Sequence, residues 1–126
     1  MKDNNFSRVI SLAKKEKKVI AIALYGSSLN GQGRDIDICL FLDRKYSNLE
    51  MSQIRLKFLK VLSNKYDIQV FQQLPLYLRP RILKESRILL SKNQQLLYSI
   101  AYATIREYSF FEKHYNEYLR AVQNGH

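Results

Sequence analysis

One cysteine, Cys39, is all the thiol this 126-residue chain carries. An internal disulfide is excluded, and so is a cysteine-rich metal knuckle. Tryptophan is absent. No apolar run approaches the ~18 residues that a membrane span requires. The opening Met1-Lys2-Asp3-Asn4-Asn5 lacks the apolar block of a secretory leader, so a cytoplasmic location is the expectation. No internal repeat or low-complexity segment appears, and the length suits a single domain over residues 1–126. Acidic residues are outnumbered, 11 against 21 basic ones, and the formal charge of +10 favours anionic partners such as nucleotides, nucleic acid or an acidic protein. The nine tyrosines fit base stacking, a protein interface or an amphipathic core equally well.

Glycine is scarce too, yet three of the four glycines fall in one stretch, LYGSSLNGQGRDID at 24–37. Apolar runs flank it. VIAIALY (19–25) reads as a buried central strand and IDICLFL (36–42) as a second strand. Upstream, Phe6, Val9, Ile10 and Ala13 have helical spacing. Downstream, Ser47 with Glu50 makes a capping box for a helix whose stripe is Met51, Ile54, Phe58 and Leu62. YDIQVF (66–71) reads as a third strand, Leu74-Pro75 opens a short helix to about Glu85, and RILL (87–90) reads as a short fourth strand. Ser91 with Gln94 suggests a further cap, and one long helix is expected over about 93–122. The alternation predicts an α+β (mixed α/β) fold, a small sheet with helices packed on it. A terminal helix of that length either wraps the sheet or offers its outer side to a partner.

Strand side chains alternate faces, so Asp35 and Asp37 point the same way. Two such carboxylates repel, and a divalent cation compensates them; Mg²⁺ takes oxygen ligands, often carboxylates together with substrate phosphates. Asp67 opens the third strand and completes a trio if that strand lies beside 36–42. Gly26 permits a sharp turn, and Ser27 can start a short helix whose free N–H groups face an anion. Gly31 and Gly33 remove side chains where a substrate comes close. The chemistry suggested is metal-assisted phosphoryl or nucleotidyl transfer from a nucleoside triphosphate. The GxxxxGK[ST] order of a P-loop is missing, and Gly31-Gln32-Gly33 lacks the GxGxxG fingerprint. Taken singly, each piece also has a plain structural reading: a turn at Gly26, a loop end at Asp35, a strand cap at Asp67.

The stretch LYGSSLNGQGRDIDICLFLD resembles the signature of the minimal nucleotidyltransferases, a branch of the DNA polymerase beta-like superfamily. The matching positions are Gly26, Ser27, Gly31, Asp35 and Asp37, with Asp67 in YDIQVF as the third carboxylate. LPLYLRPRILKESRILL and the tail IREYSFFEKHYNEYL resemble the family as well, so the likeness covers nearly the whole chain. It implies a polymerase beta-like fold and transfer of AMP from ATP with two Mg²⁺ ions. Asp35, Asp37 and Asp67 would be catalytic and metal-binding, and Gly26, Ser27, Gly31 and Arg34 would bind the nucleotide. It also implies a HEPN-domain protein as hetero-oligomeric partner, with AMP placed on a partner tyrosine in an antitoxin role. A homodimer is a further association, and nucleic acid ranks behind protein as partner. The chain departs from the family at Asn30, where Arg is usual, at Arg34, where Ser is usual, and in a shorter hinge. Those departures motivate an alternative, a weak or inactive subunit that neutralises its partner by contact. A second alternative is nucleotidyl transfer to RNA or another small acceptor.

Around these positions, Arg79, Arg81, Lys84 and Arg87 are expected to form a basic rim. Glu85 and Gln69 are candidates for substrate contact or for a solvated rim. Cys39 is expected to be a small buried filler, and His114 an exposed or interface residue.

Overall fold

The computed structural model describes residues 4–26 and 36–125. Helix α1 (Asn4–Lys15) leads into strand β1 (Val19–Tyr25), which is followed by β2 (Ile36–Leu42), α2 (Asn48–Leu59) and β3 (Tyr66–Val70). A 3-10 turn at Phe71–Gln73 then leads to α3 (Arg79–Glu85), β4 (Arg87–Ser91) and α4 (Gln94–Asn124). The sheet order is β3-β2-β1-β4. β1 is antiparallel to both β2 and β4, whereas β2 and β3 are parallel, with α2 as their crossover. This is the small mixed sheet that the alternating sequence pattern predicts.

Both faces of the sheet are covered, which is why β1 and most of β2 read as unbroken apolar runs rather than alternating ones. On one face Val9 and Ala13 of α1, with Met51, Ile54 and Phe58 of α2, pack on Ile22, Leu24, Ile38 and Leu40. On the other, Ile82 of α3 and Leu97 of α4 pack on Ala21, Ala23, Cys39 and Phe41. There Phe41 and Phe71 stack at a centroid distance of 4.5 Å. β3 lies at the edge and does alternate: Tyr66, Ile68 and Val70 are buried, whereas Asp67 and Gln69 are only partly so.

Side chains fix the corners. Gln72 pairs with the end of β2 as a strand residue would, accepting from Leu42 N at 3.1 Å and donating to Leu42 O at 2.8 Å. Lys92 Nζ donates to the carbonyls of Ala13 (2.7 Å) and Glu16 (2.9 Å), closing the C-terminal end of α1. The capping box of α2 forms as expected, with Ser47 Oγ accepting from Glu50 N.

Several boundaries differ from the sequence expectation. α4 is capped by Asn93, whose Oδ1 accepts from Leu96 N, and not by Ser91, which ends β4. α3 begins at Arg79 and not at Pro75, because Arg79 turns inward and donates to the carbonyls of Leu74 (2.9 Å) and Gln72 (3.3 Å), holding 72–78 as turns. Arg79 therefore leaves the expected basic rim. α2 stops at Leu59, so Leu62 joins the core from beyond the helix. Among the described residues no helix is long and apolar enough to cross a membrane.

Candidate functional site

β1 ends, and β2 and β3 begin, at the same edge of the sheet. The register there sets Tyr25 opposite Asp37, and Asp37 opposite Asp67. Two of the three carboxylates singled out in the sequence thus stand on adjacent parallel strands. Period-two alternation puts them on the face that carries Cys39 and Phe41, beyond the end of the apolar cluster. Both are partly exposed. Asp35, Ser27, Gly31 and Arg34, together with Asn30 and Gly33, lie outside the described residues.

Gly26 makes this approach feasible. Its φ of +69° is in the left-handed region, and a Cβ there would lie 2.6 Å from Asp37 Oδ2. Only glycine relieves both constraints at once. Tyr25 beside it is partly buried against the α3-side cluster. Burial raises its phenol pKa, and the nearby Asp67 and Asp37 carboxylates push it further up, so the hydroxyl keeps its proton through the neutral range. Cys39 is fully buried and burial drives its thiol upward as well; it is an inert filler, as expected.

Asp67 has two neighbours of its own. Gln69, two residues on and on the same face, donates Nε2 toward both Asp67 oxygens at 3.4 and 3.5 Å. Arg55 comes over the strand edge from α2. Its Nε donates to Ile68 O, and its Nη2 lies 3.7 Å from Asp67 Oδ1. Arg55 escapes sequence reasoning, since it lies on the polar flank of an amphipathic helix and only the packing of α2 beside β3 brings it to the carboxylate. Its neighbour Ile54, a core residue, was the available hint to where that flank would face.

A cavity of about 380 Å³ adjoins the carboxylates. Tyr25, Gly26 and Gln69 line its carboxylate side, Leu74, Leu78 and Ile82 supply apolar wall, and Arg81 and Glu85 complete it. Arg81 Nε donates to Glu85 Oε1 at 3.2 Å, so these two exposed residues form an ion pair at the cavity. The arrangement combines an apolar recess wide enough for a planar ring with charged groups beside it. The donor set suits a hard cation. Asp37 and Asp67 offer carboxylate oxygens side by side, and Gly26 leaves room against one of them. Among the described residues no third His, Cys, Asp or Glu joins them.

The model of the family described as Polymerase beta, Nucleotidyltransferase matches residues 7–95, from α1 to the first turn of α4. The chain belongs to this nucleotidyltransferase family. Over 82 residues it is 37% identical to a Methanocaldococcus jannaschii protein named "putative protein adenylyltransferase", the match covering 63% of this chain and 62% of that protein. The chain thus matches under two thirds of that relative's length.

Solved structures show the same fold over almost the whole chain. One is a chain from a complex of a tri-AMPylated Shewanella oneidensis HEPN toxin with an MNT antitoxin (TM-score 0.69, 21% identity, 98% of this chain and 99% of that one). Another is from a toxin–antitoxin complex with AMP-PNP (TM-score 0.69, 21% identity, again 98% and 99%). A third is from the MntA–HepT toxin–antitoxin complex (TM-score 0.68, 20% identity, 97% and 99%). The resemblance to minimal nucleotidyltransferases read from the Gly-Ser and Asp-x-Asp elements is borne out in family and in fold.

Proposed function

We propose that this nucleotidyltransferase domain moves AMP from ATP to a tyrosine hydroxyl on a helical HEPN-type partner protein, with Mg²⁺, and that it acts as the partner's antitoxin. The observation that carries the reading is the pairing of Asp37 with Asp67 across β2 and β3, with Gly26 opening the space in front of Asp37. Its relatives, a putative protein adenylyltransferase and an antitoxin in complex with an AMPylated HEPN toxin, support the choice of AMP and of a protein acceptor.

In this reading Asp35, Asp37 and Asp67 hold the cations, and Gly26, Ser27, Gly31 and Arg34 receive the triphosphate. Bound Mg²⁺ would neutralise phosphate charge and favour departure of pyrophosphate. The protein's own part is placement. Gln69 and Arg55 orient the Asp67 carboxylate, and the recess under Leu74, Leu78 and Ile82 takes the base. Tyr25 stays neutral beside the carboxylates and adds no further negative charge.

The test is incubation with ATP, Mg²⁺ and a HEPN-domain protein from the same organism, read by intact mass and peptide mapping. One AMP or more on a partner tyrosine is expected, with Asp37→Asn and Asp67→Asn each lowering the rate at least ~100-fold. Transfer undiminished in either variant would refute the carboxylate assignment. RNA included in the same assay reports on that acceptor directly.

The exposed aromatic side of α4 favours a second reading, neutralisation of the partner by contact alone. That reading requires a tight complex without ATP and no mass gain.

A further inference from the structure

The sheet face that carries the carboxylates is laid out in rows. Tyr25, Asp37 and Asp67 form the row at the open edge, and Ala23, Cys39 and Gln69 form the next. Ala21 and Phe41 follow, inside the apolar cluster. Successive rows are two residues apart, about 6.5 Å. Ala23 and Cys39 are fully buried in the cluster beneath α3 and α4. The second row therefore reaches the cavity only at Gln69, on the edge strand β3.

What the Gln69 amide touches fixes which way round it lies. Its nitrogen faces both Asp67 oxygens, at 3.4 and 3.5 Å. An ionised carboxylate only accepts, so the NH2 group must lie on that side, and Oε1 is turned away from it. Among the described residues nothing donates to Oε1. A partly buried acceptor in a cavity wall costs free energy until a donor reaches it. A nucleotide presents three kinds of group along this wall. Its phosphate oxygens belong at the carboxylate row, where cations would hold them, and as acceptors they repel an amide oxygen. Its base fits the apolar recess of Leu74, Leu78 and Ile82. The sugar comes between the two, about one row in from the phosphate, and its hydroxyls are donors.

We propose that Gln69 Oε1 accepts a hydrogen bond from a ribose hydroxyl of the donor nucleotide, so that the site selects ribonucleotides over deoxyribonucleotides. This deepens the transfer reading above and rests on it for the presence of a nucleotide in the cavity. One end of the amide steadies Asp67 and the other reads the sugar, which ties the identity of the nucleotide to the carboxylate that serves the reaction.

The test is calorimetric titration of the full chain, in Mg²⁺ and without an acceptor protein, with ATP, 2′-deoxyATP, 3′-deoxyATP and 2′,3′-dideoxyATP. ATP is expected to bind about fivefold more tightly than the dideoxy nucleotide, with one of the two single-deoxy compounds accounting for the loss. Gln69→Leu keeps the bulk of the side chain and removes the acceptor. It also removes the contact to Asp67, which weakens all four nucleotides alike, so the readout is the ratio of ATP to dideoxyATP affinity, which should fall to about one. Rates of AMP against dideoxyAMP transfer at subsaturating nucleotide give the same ratio where the variant binds too weakly for calorimetry. Circular dichroism checks that the substitution leaves the fold intact. Equal binding of ATP and dideoxyATP by a parent chain that still modifies its partner overturns the proposal and leaves the transfer reading standing. So does a sugar preference that Gln69→Leu retains. Purine riboside triphosphate, which lacks the amino group of adenine, completes the series: if Gln69→Leu abolishes discrimination against it and leaves the sugar preference, Oε1 reads the base and the proposal is overturned. A chain that binds no ATP overturns both readings together.

Discussion

Arg55 holds Asp67 from the side of the sheet opposite the cavity. Its Nη2 lies 3.7 Å from Asp67 Oδ1 while its Nε donates to the carbonyl of Ile68, the next residue along the same edge strand. One guanidinium thus grips the backbone and the Asp67 carboxylate of β3 at once, a task its planar fork suits and a lysine ammonium does not. Both partners of the ion pair are more than a third exposed, so the charge contact itself contributes little. The bond to Ile68 O contributes more. Arg55→Met is expected to lower stability by about 1–2 kcal/mol in urea unfolding. It should also raise the Mg²⁺ concentration needed for half-maximal AMP transfer, because Asp67 loses its orientation. Arg55→Lys should recover part of the stability and little of the Mg²⁺ dependence.

Gly26→Ala tests the gap in front of Asp37. The new methyl would face Oδ2 at 2.6 Å from a backbone with φ of +69°. The left-handed conformation costs an L-residue about 1–2 kcal/mol, and the carboxylate must also move. A loss of about 2–3 kcal/mol in denaturant stability is expected. AMP transfer should fall by more than the fraction unfolded explains, measured on the same samples at a temperature where the variant is folded.

The fold was legible where burial is complete. VIAIALY and IDICLFL announce a sheet covered on both faces, and Ser47 with Glu50 announces the start of α2, because each signal is local. Ser91 misled as a cap because Asn93, two residues later, competes for the same role and adopts the extended backbone a cap needs. Pro75 misled as a helix start because Arg79 reaches back across the intervening turns to two carbonyls, a contact that spacing does not encode. At the site, Asp37 and Asp67 were readable as types, but their adjacency depended on β3 lying parallel beside β2. Arg55 was not readable at all, since its role arises only when α2 lies along the β3 edge. The long helix was evident from its length, whereas only the burial pattern shows that half of it lacks cover in the described chain.

Neutralising one carboxylate should separate stability from activity. Asp37 and Asp67 oppose each other in register, and like charges so placed destabilise a strand pair. Without metal, Asp37→Asn is therefore expected to unfold about 0.5–1 kcal/mol later than the parent chain in urea. Added Mg²⁺ should raise the parent's unfolding midpoint and leave the variant's nearly unchanged. An Asn variant less stable than the parent in metal-free buffer would show that Asp37 is held by attraction rather than tolerated for function.

Stability should also depend on acid at a corner remote from the site. Glu16, at the turn from α1 into β1, is largely buried. Burial alone would raise its pKa. The Lys57 ammonium, bonded to Oε1 at 2.7 Å, and the Lys18 backbone N–H, bonded to Oε2 at 3.3 Å, outweigh that effect, and the net shift is downward. A carboxylate whose folded pKa is depressed contributes stability above its unfolded value, about 4.3. That contribution disappears as the pH falls through the folded value. Glu16→Gln is thus expected to cost about 1 kcal/mol at pH 7, discounted for the exposed lysine. The difference should be intact at pH 5.5 and should close as the pH falls below about 4. Urea midpoints of parent and variant across that range provide the measurement. Because Lys57 lies on α2, Lys57→Met should show the same closing difference, and the double variant should lose little beyond either single one. A Glu16→Gln cost that stays constant down to pH 3 would instead mean that the side chain's packing, and not its charge, joins α1 to α2.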